Sequence, residues 1–273
     1  MKKFYVIGNP IKHSLSPKIF NYWFDKYKLD HKYEKKLIKR KGFKTIFKKT
    51  MLDKDCGGAN ITLPFKQNIN SLVSSFDSHA KKIGAINCVY KRKNKTIGTN
   101  TDWEGYLNSL KKNKNYKKIK KQKVGIIGFG GATKAVIYAL KKLKFEEIIV
   151  FIRNKNKLRD VKEYDKNIKA KNLKEINKLA PNFDLLINTT STKSLKDLKI
   201  DMSKLKKTTF VSDINYSPHK TKFLKLAIKN KKSVIYGIYM LIYQAAPSFK
   251  LWFGFYPKID DGLIDVLLKK NKK

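Results

Sequence analysis

Short apolar runs alternate along this chain with longer stretches in which apolar residues are spaced among lysines. Phe4-Tyr5-Val6-Ile7 predicts a strand, and the segment from Pro17 to Lys28 predicts a helix. Further strands are expected over Ala59–Leu63 and Ile86–Tyr90. Val124 to Gly128 then reads as a buried strand, followed by a glycine-rich turn and a helix from about Ala132 to Leu143. Ile148–Ile152, Leu185–Ile187 and Phe210–Asp213 are the next strands, and a long apolar helix is expected from Gly237 to about Trp252. Such strand–helix alternation argues for an α/β fold with parallel sheets. Residues 111–123, KKNKNYKKIKKQK, form a charge-dense connector that reads as a domain boundary. No internal repeat is present, and the final KKNKK reads as a frayed tail.

Composition narrows this picture. With 273 residues, 41 % of them apolar, the chain can build one large domain or two modest ones. Its two cysteines, Cys56 and Cys88, make no metal-ligand pattern and are too few for a disulfide framework, which suits a reducing cytosol. The opening MKKFYVIGNP reads as a first strand and not a signal peptide. The uncharged stretch Ser233–Phe249 is interrupted by Gly237, Gln244 and Pro247 and falls short of a membrane span, so no membrane partner is expected. A formal net charge of +42 invites a nucleic-acid reading. Against it, Arg40, Arg92, Arg153 and Arg159 are the only four arginines, and the lysines are spread along the whole chain. No specific nucleic acid is expected, although weak, salt-sensitive binding to polyanions is.

Residues 124–135, VGIIGFGGATKA, place Gly128-Phe129-Gly130-Gly131 between a buried strand and a helix. Glycines there let the backbone approach a pyrophosphate, and free N–H groups at the helix start hold the anion. Thr133 stands where G-x-G-x-x-G has its third glycine, and a tight turn without a ligand has a similar pattern. The following strand ends in Arg153-Asn154-Lys155-Asn156-Lys157. An NAD site would usually place an acid near here for the ribose 2′-hydroxyl, whereas cations suit a 2′-phosphate. The pattern favours NADP, with ordinary surface cations as the alternative.

Four other blocks carry candidate chemistry. In GNPIKHSLSP, Ser16 reads as an N-cap with Pro17 at the first helical position, and Ser14 and Ser16 together could hold a carboxylate at a helix N-terminus. In ANITLPFKQ, Asn60 and Thr62 share one face of the expected strand, and Lys66 follows Pro64 on a constrained segment. A lysine held against a pocket wall can exchange protons near neutrality, although most lysines here are solvated. In GTNTDWEG, Thr101 and Glu104 form a capping-box pattern, which would make Asp102 a first-turn acid. Gln244 is an uncharged amide within an apolar helix, either a satisfied core group or a ligand contact.

Taken together, GNPIKHSLSP, GANITLPFK, GAINCV, GTNTD, GFGGATKA, NTTS, DINYSP with Thr221, and GIYMLIYQA resemble the shikimate dehydrogenase family, in the family's order, from residue 8 to about 254. The resemblance implies two α/β domains with the active site in the cleft between them. Residues 1–105, completed by 237–273, would bind substrate, and residues 106–236 would form a Rossmann-like NADP-binding domain. The implied activity is reversible NADPH-dependent reduction of 3-dehydroshikimate to shikimate, a step toward aromatic amino acids, in a cytoplasmic monomer or homodimer without a metal. Lys66 and Asp102 would be the catalytic pair. Ser14 and Ser16 would bind the substrate carboxylate, and Asn60, Thr62, Asn87 and Gln244 its hydroxyls, with Tyr216 also at the substrate. Gly128, Gly130, Gly131, Ala132, Arg153, Asn154, Lys157, Thr189, Ile214, Gly237 and Met240 would bind the cofactor.

The chain departs from the family pattern at several points. Phe129 stands where the glycine loop usually has a small residue, and Ile152 replaces the asparagine of an N-R-T clamp. Cys88 replaces a threonine, Thr192-Lys193-Ser194 lacks a glycine, and Tyr239 replaces the second glycine of G-x-G-M-L. Alternatives are a quinate/shikimate dehydrogenase paralogue with another cofactor or substrate preference, and a basic nucleic-acid-binding protein on a Rossmann-like scaffold.

Overall fold

The computed structural model describes residues 1–93, 95–191 and 200–268; Thr192-Lys193-Ser194 and the terminal KKNKK lie outside them. The chain divides into two compact units, Met1–Gly105 with Leu241–Lys273, and Tyr106–Met240.

In the first unit the elements run β1 (Lys2–Gly8), α1 (Ser16–Lys26), β2 (His31–Leu37), α2 (Phe43–Leu52), β3 (Cys56–Ile61), β4 (Ser75–Phe76), α3 (Ser78–Ile83), β5 (Cys88–Arg92), β6 (Lys95–Thr99) and the start of α4 (Asp102–Lys111). The sheet order is β2-β1-β3-β5-β6-β4. β1 pairs in parallel with β2 and β3, but β5 runs antiparallel to both β3 and β6. The sheet is therefore mixed and not parallel throughout as the alternation suggested. The connection from β5 to β6 is too short for a crossover and permits only an antiparallel pair. Phe43, Phe47, Ile61, Phe65 and Val89 fill one core beside this sheet. Phe20, Trp23 and Phe24 of α1 form an aromatic cluster with Phe4 and Tyr33.

The second unit continues with β7 (Lys123–Ile127), α5 (Gly131–Lys142), β8 (Glu147–Ile152), α6 (Leu158–Tyr164), β9 (Lys169–Asn172), α7 (Ile176–Leu179), β10 (Leu185–Asn188), β11 (Phe210–Asp213), α8 (Lys222–Lys229) and β12 (Ser233–Tyr236). Its order, β12-β11-β10-β7-β8-β9, is parallel throughout and doubly wound about β7. The central strands read as unbroken apolar runs because both faces are covered. α9 (Gly237–Phe253) carries the chain back into the first unit, and α10 (Asp261–Leu268) follows. The unit boundary falls inside α4, between Gly105 and Tyr106. The connector 111–123 thus lies wholly within the second unit, where Ile119 is buried under the basic surface of the segment.

Candidate active site

Four segments meet at one edge of the first sheet. β1 ends at Gly8, and β3 leaves at Ile61, which pairs with Ile7. β5 enters after Asn87, since Cys88 pairs with Asn60, and β6 leaves at Thr99 opposite Cys88. The loops carrying Ser14, Thr62, Lys66, Asn87 and Asp102 therefore start or end at this edge.

β3 stops at Ile61, earlier than the expected Leu63. Residues 62–65 instead form a turn closed by Phe65 N–H on the Thr62 carbonyl at 3.0 Å, around a cis Leu63–Pro64 bond. The Phe65 ring stacks flat on Phe43 in the core. The Lys66 carbonyl accepts from Ile86 N–H at 2.8 Å. Lys66 is thus pinned on both sides, and its ammonium donates to Asp102 Oδ2 at 2.6 Å. The two side chains are 14 % and 6 % exposed, unlike the solvated lysines elsewhere. The other carboxylate oxygen, Oδ1, accepts from Asn87 Nδ2 at 2.8 Å. Asn87 Nδ2 also lies 3.2 Å from Gln244 Oε1 and 3.0 Å from Thr101 Oγ1. Asp102 N–H is held by Asn100 Oδ1 at 3.0 Å, so the start of α4 is fastened by Asn100, while the Thr101 hydroxyl faces Asn87, Gln244 and Ser248.

Asn60 joins the same network: it accepts from Tyr33 OH at 2.8 Å and donates to Asn87 O and Ser248 Oγ. Ser14 and Ser16 sit together, but not as expected. Leu15 takes the N-cap position in a helical conformation, which puts Ser16 first and Pro17 second in α1. Ser14 Oγ accepts from Ser16 N–H at 3.3 Å. Among the described residues, the hydroxyls of Ser16 and Thr62 have no hydrogen-bond partner.

In the second unit, the turn after β7 places Gly128 at φ +99°, where a side chain would be strained and would meet Thr190. Gly130 is extended, and a Cβ there would meet nothing within 4 Å. Gly131, Ala132 and Thr133 open α5, whose first internal bond runs from Lys134 N–H to Gly130 O. Thr133 explains its place in the motif: its hydroxyl accepts from Gly130 N–H and bonds Thr189, which donates to Ile127 O. The Phe129 ring packs edge-on against Tyr164, with the Lys134 ammonium over both rings. Arg153, Asn154 and Lys157 are exposed beyond the end of β8. Arg153 makes no ion pair among the described residues, while Asn154 Oδ1 accepts from Asn156 N–H. Ile214 and Tyr216 are half-buried in the loop after β11, and Met240 is buried on α9. Gly237 is required by its surroundings, since a Cβ would lie 2.5 Å from the carbonyls of Asn215 and Ile214.

Three family profiles match this chain: the shikimate dehydrogenase substrate binding domain over residues 6–89, shikimate / quinate 5-dehydrogenase over 110–218, and the shikimate 5′-dehydrogenase C-terminal domain over 237–261. A shikimate dehydrogenase (NADP⁺) of Pelagibacter ubique is 38 % identical, covering 97 % of this chain and 98 % of its own. The chain belongs to the shikimate dehydrogenase family. The shikimate dehydrogenase structure from Aquifex aeolicus superposes with a TM-score of 0.88 at 30 % identity, covering 99 % of this chain and 98 % of that one. That of the Thermus thermophilus family member in complex with NADP(H) and shikimate has a TM-score of 0.83 at 27 % identity, with 98 % of each chain covered.

The residues of the second unit fit a dinucleotide of the kind this family uses. Gly130 leaves open space for a phosphate, the first-turn N–H groups of α5 are free of internal partners, and an unpaired guanidinium stands at the end of β8. Sequence reasoning missed the groups that hold these loops. Asp213 is fully buried and accepts from Asn188 Nδ2, from Asn215 N–H and Nδ2, and from the Thr221 hydroxyl. Burial raises its carboxyl above the usual range, and these hydrogen bonds oppose that shift. An acid closing an apolar strand was the available signal. Tyr33 and Ser248 gave none, because their partners are distant in sequence, and the capping-box pattern at Thr101 did not disclose that Asn100 holds Asp102 N–H while Thr101 turns to Asn87 and Ser248.

Proposed function

We propose that this chain catalyses the reversible NADPH-dependent reduction of 3-dehydroshikimate to shikimate, with Lys66 and Asp102 as its catalytic pair. The observation that carries the reading is the buried Lys66–Asp102 ion pair, joined through Asn87 to Gln244, in a chain of this family. Substrate binds the first unit. Ser14 and Ser16 hold its carboxylate, and Thr62, Asn60, Asn87 and Gln244 meet its hydroxyls, with Tyr216 contributing from the loop after β11. The cofactor binds the second unit through Gly128, Gly130, Gly131 and Ala132 at its pyrophosphate and through Arg153, Asn154 and Lys157 at its 2′-phosphate. Thr189, Ile214, Gly237 and Met240 line the same site. When bound, the nicotinamide supplies or accepts the hydride.

The proton is the protein's task. As the substrate carbonyl becomes a hydroxyl, its oxygen takes a proton from the Lys66 ammonium; in reverse, the neutral amine takes it back. Asp102 orients the ammonium through Oδ2 and is itself held through Oδ1 by Asn87, so the donor need not reorganise as charge develops. Two buried free cysteines suit a reducing compartment, and we place the enzyme in the cytoplasm. The lysine-rich surface is assigned no partner.

The test is reduced-nicotinamide absorbance with shikimate and NADP, with quinate and NAD in parallel. NADP-dependent oxidation of shikimate, lost in Lys66→Met, supports the assignment. Turnover with quinate or NAD alone would replace it with the paralogue reading.

A further inference from the structure

Beside the proposed catalytic pair lies a hydroxyl that the mechanism does not use. Ser248 is fully buried on α9, one helical turn after Gln244 and on the same face. Its Oγ accepts from Asn60 Nδ2 at 3.0 Å, meets Thr101 Oγ1 at 3.2 Å, and lies 3.3 Å from the Gln244 carbonyl. One side chain therefore ties β3 and the residue before α4 to α9, the elements that carry or adjoin Asn60, Asp102 and Gln244.

The hydrogen count of Asn60 gives this arrangement its consequence. A primary amide has two donors and one acceptor oxygen. Both Nδ2 hydrogens are spent, on the Asn87 carbonyl at 3.2 Å and on Ser248. The Asn87 carbonyl only accepts, so it fixes which end of the amide is nitrogen. Oδ1 takes the Tyr33 hydroxyl at 2.8 Å and keeps one lone pair, so toward a ligand Asn60 can act only as an acceptor, suited to a substrate hydroxyl. Tyr33 is itself locked by its flat stack on Phe20. Thr101, on the other side of Ser248, gives its N–H to Asn87 Oδ1 at 2.6 Å and directly precedes Asp102.

We infer that Ser248 is a positioning residue for substrate recognition: it clamps Asn60 and Thr101 to α9, so that the oxygen of Asn60 and the amide groups of Asn87 and Gln244 are presented together to the substrate hydroxyls. This rests on the assignment of shikimate as substrate. It goes beyond that assignment because Ser248, fully buried, acts only through Asn60, Thr101 and α9.

The test is steady-state kinetics of Ser248→Ala in the full chain, varying shikimate and NADP separately. Ground-state binding through Asn60, Asn87 and Gln244 should weaken, so the KM for shikimate rises about tenfold while kcat stays within about threefold. The KM for NADP should stay within about twofold, which a general loss of structure would not spare. Ser248→Thr, which keeps the hydroxyl, should restore the shikimate KM. Tyr33→Phe removes the other partner of Asn60 without losing the ring stack, and carries the test should Ser248→Ala fail to fold. It should also raise the shikimate KM selectively. An unchanged shikimate KM, or equal rises in both KM values, would overturn the inference while leaving the assigned activity intact. A wild-type enzyme that fails to oxidise shikimate would overturn both.

Discussion

Removing the ammonium of Lys66 tests the assigned chemistry and its structural setting together. The pair is 2.6 Å apart, with the side chains 14 % and 6 % exposed. At an effective dielectric near 20, such a contact supplies about 6 kcal/mol of attraction. Several kcal/mol of desolvation per ion roughly offset it, so the intact pair contributes little net stability. Breaking it is another matter. In Lys66→Met, Asp102 stays buried and charged with Asn87 Nδ2 as its remaining side-chain partner, and stability should fall by about 2–4 kcal/mol, slightly under the usual cost of stranding a buried charge. Asp102→Asn in the same chain removes that stranded charge and keeps an oxygen for Asn87, so the double variant should recover most of the loss.

Activity should follow a different rule. Each single variant should lose about 10²- to 10⁴-fold in kcat, the usual contribution of a positioned proton-transfer group. Because the two side chains act as one unit, the double variant should be about as slow as the slower single one, and not slower by the product of both effects. Urea unfolding gives the stabilities, and initial rates of NADPH formation from shikimate give kcat. A Lys66→Met enzyme within tenfold of wild-type kcat would refute the proton-transfer role. Additive stability losses in the double variant would refute the coupling read from the geometry.

The other expectations bear on single features. Gly237→Ala forces a Cβ to within 2.5 Å of two backbone carbonyls and should cost about 1–3 kcal/mol in a denaturation curve. Gly130→Ala meets nothing within 4 Å and should leave stability intact but raise the KM for NADP, because the methyl would fill the space proposed for a phosphate; an unchanged KM would remove Gly130 from the proposed cofactor site. Arg153→Gln should raise the KM for NADP far more than that for NAD, since only the former carries the 2′-phosphate, and equal changes would argue against the assignment. Asp260 fastens α10 to α1 through Lys26 and Tyr22. The Lys26 hydrogen bond, opposed by burial and helped by Leu263 N–H and Tyr22, lowers its carboxyl to about 2. A depressed carboxyl stabilises the fold above its unfolded value near 4 and loses that contribution as pH falls toward 2. The stability gap between wild type and Asp260→Asn should therefore close between about pH 4 and 2, and a gap constant across that window would contradict the assignment.

What the sequence disclosed follows from how local each feature is. β11 occupies the expected residues, Phe210–Asp213, because a central parallel strand is apolar on both faces and announces itself as a run. β2 was invisible: HKYEKKL buries only Tyr33, and its strand character comes from pairing with β1, which no local pattern records. The same division applies to the site. Asn60, Lys66 and Asp102 stand in dense motifs and could be singled out. Their environment could not, because it is built by contacts between residues as far apart as Asn60 and Ser248.

Ser248 makes the point most clearly. Ser248 follows Pro247 inside the long apolar helix expected from Gly237 to about Trp252, and α9 does run on to Phe253. Pro247 removes one helical N–H, and the next residue turns its hydroxyl inward to a buried amide and a buried hydroxyl. Such a group can remain in an apolar helix only where each polar neighbour is satisfied, since an unmatched one costs about 1–3 kcal/mol. The cluster therefore stands or falls as a unit. Deleting any one member leaves a buried donor or acceptor in another element, and the loss is felt at Asn60, a proposed substrate contact, and at Thr101, which directly precedes Asp102.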